Sequence, residues 1–193
     1  MRRVLVETAR LTLCAFHTGD VDLLAQLDGD PAVMQFITGG RTTPRSEIEN
    51  DVLPAFLSYY ERFDGYGFWA AIERDSQEFL GWFHLRPAPG APDDEPELGY
   101  RLRRDAWGRG LATEGARALI EVAFSRLGAR RVVAETMTVN VASRRVMEKA
   151  GMQLIREFHQ DWPYRIEGDE FGDVEYAITR SEWVAATTAR RGG

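Results

Sequence analysis

Cysteine and lysine are almost absent from this chain. Cys14 is the single cysteine, so no disulfide can form within one molecule. Lys149 is the one lysine among 24 basic residues, and we attribute the excess of arginine to genomic base composition. No apolar run approaches the roughly 18 residues that a membrane-spanning helix needs. We therefore expect a cytoplasmic protein that makes no membrane contact.

Histidine is also scarce, which argues against a metal centre. His17, His84 and His159 are far apart, and none has the cysteine or carboxylate spacing of a metal site. Positive charge is in deficit as well, since the formal net charge is −6. That balance argues against a nucleic-acid surface and mildly favours cationic substrates.

Two common phosphate-binding patterns are missing. The chain has no G-x-x-x-x-G-K-[ST] stretch, so a nucleoside-triphosphate loop is unsupported. Gly108 and Gly110 begin a G-x-G pattern, but Thr113 stands where a dinucleotide fingerprint has its third glycine. The pattern also lies in the middle of the chain rather than in a first βα turn.

The most informative feature that is present is the turn Trp107-Gly108-Arg109-Gly110-Leu111-Ala112-Thr113-Glu114. A strand-like segment, residues 97–102, precedes it, and an amphipathic helix follows at once. Unpaired amides in such a turn and in the first turn of a helix form a seat for an anion. An ordinary strand-to-helix turn is the alternative.

The order of predicted elements is that of a mixed α/β fold. We expect one domain over residues 1–193, with a folded core at about 8–183 and a flexible tail at 184–193. The pattern predicts strands at 8–16, 66–73, 78–85, 97–102, 131–139, 152–159 and 174–178, and helices at 20–28, 31–36, 44–63, 112–127 and 140–150.

Residues 97–151 closely resemble the GNAT superfamily of N-acetyltransferases, in particular its RimJ/RimL-like branch. The resemblance rests on Leu98-Gly99-Tyr100-Arg101-Leu102, on the glycine turn, on Ala134-Glu135-Thr136 and on the segment from Asn140 to Gly151; it extends back to an opening strand at 7–13. It implies a mostly antiparallel sheet of six to seven strands flanked by helices, in which the central strands 97–102 and 131–139 splay apart.

The same resemblance implies acetyl-CoA as the acetyl donor and suggests where it binds. Amides of the glycine turn would hold the pyrophosphate, and main-chain groups of the preceding strand would pair with the pantetheine. Asn140 would contact the pantetheine or cap the following helix, and Arg144 would reach the nucleotide phosphates or lie on a solvated helix face. The implied cofactor-binding residues are Tyr100, Arg101, Leu102, Gly108, Arg109, Gly110, Leu111, Ala112, Thr113, Asn140 and Arg144.

Three residues are candidates for catalysis. Transfer to an amine requires a deprotonated nitrogen, and Glu97 on the strand before the turn is our first choice of base, with Glu135 second. A solvent-exposed strand-end carboxylate is the alternative for Glu97. Many family members protonate the leaving thiolate with a tyrosine at the position that Met147 occupies here, so Ser143 is the nearest proton donor.

The expected activity is direct acetyl transfer from acetyl-CoA to a primary amine. The acceptor is a protein N-terminus or a small cationic amine, and its site would be built from the N-terminal helices, the strands at 68–69 and 82–84, and residues 159–164. A catalytically silent acyl-CoA-binding or interaction module is the alternative function. A homodimer is expected by analogy alone.

Overall fold

The computed structural model describes residues 2–88, 90–160, 162–163 and 165–191, with the side chains of 190 and 191 left out. The described strands form one eight-stranded sheet in the order β1-β2-β3-β4-β5-β6-β8-β7. The strands are β1 (Val4–Glu7), β2 (Leu11–Ala15), β3 (Gly67–Glu73), β4 (Phe79–Arg86), β5 (Glu97–Leu102), β6 (Arg131–Met137), β7 (Gln153–Phe158) and β8 (Asp173–Thr179). The helices are α1 (Val21–Asp28), α2 (Pro31–Thr38), α3 (Arg45–Glu47), α4 (Leu53–Arg62), α5 (Leu111–Ser125), α6 (Val141–Ala150) and α7 (Arg180–Arg191).

The two central strands, β5 and β6, are parallel and barely paired. In the described residues a single register pair joins them, Glu97 with Val133. All the other neighbouring strands pair antiparallel. Beyond that one pair the strands diverge and leave a gap, as the sequence predicts.

Helices cover the two faces of the sheet over different lengths. On one face α5 packs through buried residues such as Leu119 and Ala123 onto a core that runs from β2 to β8. Gly115 allows a close approach there, because a Cβ at this position would lie 2.3 Å from the Phe83 ring. On the other face a second core joins α1, α2 and α4 to β2, β3 and β4. The part of this second face on β5, β6 and β8 carries charged side chains.

The structure corrects the predicted elements in two places. Val4–Glu7 forms an eighth strand, β1, which pairs with β2; its four residues are too few for a periodic pattern to show. The residues 180–191 form α7, so the flexible tail expected from residue 184 is helical up to residue 191. Trp183 anchors this helix, with its ring centroid 5.5 Å from that of Phe124.

The remaining predicted elements lie close to their expected places. Residues 44–63 are helical but divided, since α3 runs through a π-turn at Ile48–Val52 into α4, whose first turn contains Pro54. The single-domain organisation stays a prediction. No helix in the described part of the chain is long and apolar enough to cross a membrane.

Candidate active site

The glycine turn leads from β5 into α5 through two left-handed residues. Gly108 has φ of 71° and Gly110 has φ of 78°. A Cβ at Gly108 would meet nothing within 4 Å, so the backbone conformation alone requires glycine there. The turn is anchored to β5 by the Trp107 indole, whose Nε1 donates to Leu102 O at 2.8 Å. This conformation places the N-terminus of α5 at the open end of the gap.

The first amides of α5 are available to a ligand. No side chain among the described residues caps this helix. The Glu114 N–H closes the first turn onto Gly110 O at 3.1 Å, so the amides of Leu111, Ala112 and Thr113 have no partner within the helix. Aligned peptide dipoles add partial positive charge at this end. The turn therefore fits an anion such as the pyrophosphate of acetyl-CoA.

The turn between β1 and β2 holds the start of α5 in place. Glu114 Oε1 accepts hydrogen bonds from Thr8 Oγ1 at 2.6 Å and from the Arg10 N–H at 2.8 Å. The Arg10 guanidinium donates to Glu114 Oε2 at 2.7 Å and to Arg109 O at 2.9 Å. The Arg109 side chain turns away to pair with Glu73. The Arg10 guanidinium thus lies beside the amides of the glycine turn. Its position is fixed by the turn between β1 and β2, which is remote from α5 in sequence.

A hydrogen-bonded pair spans the gap from β5 to α6. The Tyr100 hydroxyl donates to Ser143 O at 3.1 Å and lies 2.9 Å from Ser143 Oγ. Burial raises the pKa of Tyr100 to about 12, although the contact with Ser143 opposes this rise. The phenol is therefore neutral at physiological pH and can donate a hydrogen bond but is a weak acid.

Asn140 and Arg144 both stabilise the start of α6. Asn140 Oδ1 accepts from the Ser143 N–H at 3.2 Å, and its Nδ2 donates to Thr136 Oγ1 at 3.1 Å. Arg144 donates to Thr138 O at 3.1 Å and to the Tyr176 hydroxyl at 3.3 Å. The cap that the sequence predicts for Asn140 is present. Contact of either residue with a cofactor stays a prediction.

Glu97 lies at the point where β5 and β6 separate, on the charged part of the second face. Its Oε2 is 2.8 Å from Arg86 Nη2, and its Oε1 is 3.5 Å from His84 Nε2. Burial raises the pKa of this carboxyl, but the nearby His84 and then Arg86 outweigh burial and leave the pKa below its usual value. Glu97 is therefore ionised, only partly exposed and in contact with Arg86 and His84, and its role as a base stays a prediction.

Glu135 lies on the other side of the gap, on the same face as Glu97. Burial and then the charges of Glu97 and Glu175 raise its pKa, while Arg156 partly opposes them. Glu175 is directly across from Glu135 in the β6–β8 register and is neutralised by Arg131 at 2.6 Å and Arg156 at 2.7 Å. We call the face that bears Glu97, Glu135 and Glu175 the carboxylate face.

His84 belongs to the strand segment 82–84 that the sequence assigns to the acceptor site, but sequence reasoning gave it no role in proton transfer. It is 7% exposed, and neither ring nitrogen has a hydrogen-bond partner among the described residues. Its ring lies 5.2 Å from the Phe68 centroid and 5.7 Å from the Trp82 centroid. A Cβ on Gly99 would lie 2.6 Å from His84 Nε2, so the imidazole rests on the backbone of β5. The signal in the sequence was the alternation that puts 82, 84 and 86 on one face.

The other predicted residues are placed as follows. The Arg101 guanidinium is bound by the buried Asp28 at 2.5 Å, so only its main chain faces the gap. Leu102 and Leu111 are core residues, and Leu102 O is occupied by Trp107. Trp162 lies in the described chain, while its predicted pocket neighbour Tyr164 lies outside the described residues. No cluster of three or more potential metal ligands occurs in the part of the chain that is described.

Comparison with known proteins identifies the family. Residues 10–153 match the model of the acetyltransferase (GNAT) domain. The chain is 36% identical over 186 residues to the FsC-acetyl coenzyme A-N(2)-transacetylase of Aspergillus fumigatus, covering 93% of this chain and 77% of that protein. The chain therefore belongs to the GNAT family of acetyltransferases. It is an N-acetyltransferase that uses acetyl-CoA, consistent with acetyl transfer to an amine.

Solved structures share the fold. RimL, a ribosomal L7/L12 alpha-N-protein acetyltransferase in complex with coenzyme A, superposes with a TM-score of 0.75 at 22% identity, covering 92% of this chain and 98% of that one. The spermidine N-acetyltransferase of Vibrio cholerae in complex with CoA and spermine superposes with a TM-score of 0.73 at 14% identity. The match covers 92% of this chain and 99% of that one. At these identities the likeness supports the architecture and does not identify the acceptor.

Proposed function

We propose that this enzyme transfers an acetyl group directly from acetyl-CoA to a primary amine of a small cationic molecule, without a covalent enzyme intermediate. The observation that carries the proposal is the pairing of an anion seat and a carboxylate face at one gap. Amides at 108–113 lie at the open end of the gap, and Glu97 and Glu135 lie on either side of it. The donor and a positively charged acceptor can therefore meet between β5 and β6.

The donor is held mainly by backbone groups. Amides from Gly108 to Thr113, beside the Arg10 guanidinium, bind the pyrophosphate. Main-chain groups of Tyr100, Arg101 and Leu102 pair with the pantetheine as an added strand would, because β6 leaves that edge of β5 unpaired. Asn140 and Arg144 border the same path at the start of α6. A backbone amide of β5 polarises the thioester carbonyl as its oxygen gains charge.

The acceptor enters from the carboxylate face as a cation. Glu97 is ionised, and Glu135 on the neighbouring strand is a second carboxyl group on the same face. At pH 7 deprotonation costs about 1.4 kcal/mol for an α-amine of pKa ~8, against about 4.6 kcal/mol for a lysine-type amine of pKa ~10.4. An amine of lower pKa is therefore favoured. The printed name of the Aspergillus fumigatus relative, an N(2)-transacetylase, is compatible with such an acceptor.

The catalytic roles follow from the positions of three side chains. Glu97 drives deprotonation of the amine, and Glu135, whose pKa is raised, is the alternative base. Ser143, linked to Tyr100, supplies the proton to the leaving thiolate. Because a thiol has a pKa near 8.5, this proton transfer need only be partial.

Two further assignments belong to the same proposal. The resemblance of the opening strand and of the motifs between 97 and 151 supports placement in the RimJ/RimL-like branch, and the fold similarity to RimL is compatible with it. We also propose a homodimer in which the partner covers the exposed apolar residues Leu154 and Ile155 of the edge strand β7.

An amine panel tests the activity. The purified chain is mixed with acetyl-CoA and with α-amine dipeptides, a polyamine, an aminoglycoside or a seryl N-terminal peptide, and release of the CoA thiol is followed. We expect turnover above the water blank for cationic amines, with a loss of about 10²-fold in kcat for Glu97→Gln. Glu121→Gln on the exposed side of α5 is the matched control and should match the unmodified enzyme.

Calorimetry of acetyl-CoA binding separates the alternatives. Binding without turnover on any amine, together with no effect of Glu97→Gln, would identify a silent acyl-CoA-binding module. Turnover confined to the protein N-terminal peptide would overturn the small cationic acceptor while leaving acetyl transfer intact. Failure to bind acetyl-CoA would refute both functions.

A further inference from the structure

His84 is buried but makes no hydrogen bond within the described residues, and its one polar contact is the ion-pair distance of 3.5 Å from Nε2 to Glu97 Oε1. A buried imidazole ordinarily pairs at least one ring nitrogen, since an unpaired buried polar group costs about 1–3 kcal/mol. Here Nδ1 and Nε2 are both unpartnered among the described residues, in a side chain that is 9% exposed. Phe68 and Trp82 fix the orientation of the ring by packing on it. Nε2 thus has only the ion-pair contact with Glu97, and Nδ1 has no hydrogen bond, so the ring retains hydrogen-bonding capacity for a polar group that enters the site.

The ring also lies where the chemistry has to occur. His84 is opposite Gly99 in the β4–β5 register. Gly99 has no side chain, so the imidazole rests on the β5 backbone two residues beyond the single β5–β6 pair at Glu97. Glu97, Gly99 and Arg101 share one face of β5. His84 thus occupies the head of the gap, on the side from which an amine enters.

We infer that His84 is the immediate acceptor of the amine proton and that Glu97 is a positioning residue acting through it. This inference rests on the proposed acetyl transfer and specifies its proton path. A ring nitrogen takes one proton from R–NH3⁺, and the freed lone pair attacks the thioester carbonyl carbon. As the C–N bond forms and the C–S bond breaks, Ser143 Oγ donates its proton to the CoA thiolate and takes up the second amine proton in its place, and His84 returns its proton to water. The products are the amide, CoA–SH and one proton.

The charges around the ring fit this role. Burial lowers the pKa of His84, Glu97 partly opposes that shift, and Arg86 and Arg101 lower the pKa further. The imidazole is thus neutral at pH 7 and ready to accept a proton. Glu97 alone is a weak base, because its pKa lies below the usual value, but its charge stabilises an imidazolium 3.5 Å away.

The test compares the pH profiles of kcat/KM of three variants with that of the unmodified enzyme. Two amines of different pKa are used, because an acid limb that is the same for both amines reports a group of the enzyme rather than the amine itself. For His84→Gln we expect kcat to fall at least 10-fold, KM for acetyl-CoA to stay within 2-fold, and the enzyme-fixed acid limb of kcat/KM to vanish. For Glu97→Gln that limb should move to lower pH, because the carboxylate no longer favours the imidazolium. His17→Gln, on an exposed histidine, should keep the unmodified profile.

A second measurement uses the unmodified enzyme and so does not depend on a variant that folds. With only three histidines in the chain, ¹³C-histidine spectra of the enzyme, His17→Gln and His159→Gln assign the His84 signal by elimination. Its titration midpoint should agree with the enzyme-fixed limb within half a pH unit. The inference is overturned if the His84 midpoint and the enzyme-fixed limb differ by more than one pH unit. It is also overturned if His84→Gln keeps kcat within 3-fold of the unmodified enzyme and retains the acid limb. Amine turnover with that result would leave the proposed acetyl transfer standing.

Discussion

Glu97 and Glu135 lie on one face of neighbouring strands, yet their pKa values move in opposite directions. Burial raises both, but Glu97 is beside His84 and Arg86, whereas Glu135 is beside the like charges of Glu97 and Glu175. The difference assigns them different uses. An ionised Glu97 stabilises positive charge at the head of the gap, while Glu135, whose pKa is raised, is the more easily protonated of the two carboxylates.

A single hydroxyl can be tested as the proton donor to the thiolate. Removing Ser143 Oγ by Ser143→Ala keeps the Ser143 carbonyl that Tyr100 contacts at 3.1 Å. If Ser143 supplies the proton, kcat should fall about 10-fold at pH 7. The deficit should shrink above pH ~8.5, where a thiolate leaves without help. Steady-state kinetics from pH 6.5 to 9.5 measure this ratio.

Ser58→Ala, at a half-buried position of α4, is the control for loss of a helical serine hydroxyl. A ratio of kcat values that stays constant over the whole pH range would assign Ser143 a purely structural role. An unchanged kcat would leave the thiolate to depart without protein help.

At the scale of elements, the start of α5 depends on the turn between β1 and β2. Arg10 joins Glu114 to Arg109 O and contributes the cation nearest to the amides of the glycine turn. Its loss removes that cation and leaves Glu114 unneutralised beside a bound pyrophosphate. Both effects weaken binding of an anion, so they change the Kd for acetyl-CoA in the same direction.

Arg10→Gln should therefore raise the Kd for acetyl-CoA about 10-fold, which corresponds to roughly 1.4 kcal/mol, with kcat at saturation little changed. Calorimetry measures the Kd. Arg126→Gln is a close control, because Arg126 also joins α5 to β1, through Leu5 O at 2.9 Å, but at the far end of the helix. Equal weakening in both variants would show that general loosening of α5, and not charge at the turn, is responsible.

At the scale of the whole molecule, local signals were predictable and contacts across strands were not. The Gly108 and Gly110 turn is a local pattern, and the sequence places it correctly between β5 and α5. The cluster of His84, Arg86 and Glu97 depends on the β4–β5 register, which is set across a connection of ten residues, 87–96. The hydrogen bonds between Arg10 and Glu114 join positions more than 100 residues apart, and no rule on sequence spacing predicts a contact at that separation.

The last prediction concerns the exposed edge of the sheet. β7 is an outer strand, and a register shift between Leu154 and Arg156 marks a β-bulge at Ile155. A bulge disfavours strand-to-strand pairing at an edge, so a second copy would dock through side chains. Leu154 and Ile155 are 44% and 52% exposed, and Phe171, which precedes β8, is 62% exposed. Exposed apolar groups of this kind mark a contact surface when they are contiguous.

Ile155→Lys should convert a dimer into a monomer, because the partner would have to bury an unpaired charge. Sedimentation velocity from 1 to 100 µM measures the change, with an expected rise in the dimer Kd of at least 100-fold. Val184→Lys carries the same charge on α7 at a similarly exposed apolar residue, 48% exposed, and should remain dimeric. An unmodified enzyme that is monomeric at every concentration, or an Ile155→Lys enzyme that still dimerises, would remove β7 as the interface. Activity retained in the monomer would further show that the gap between β5 and β6 contains all the groups needed for transfer.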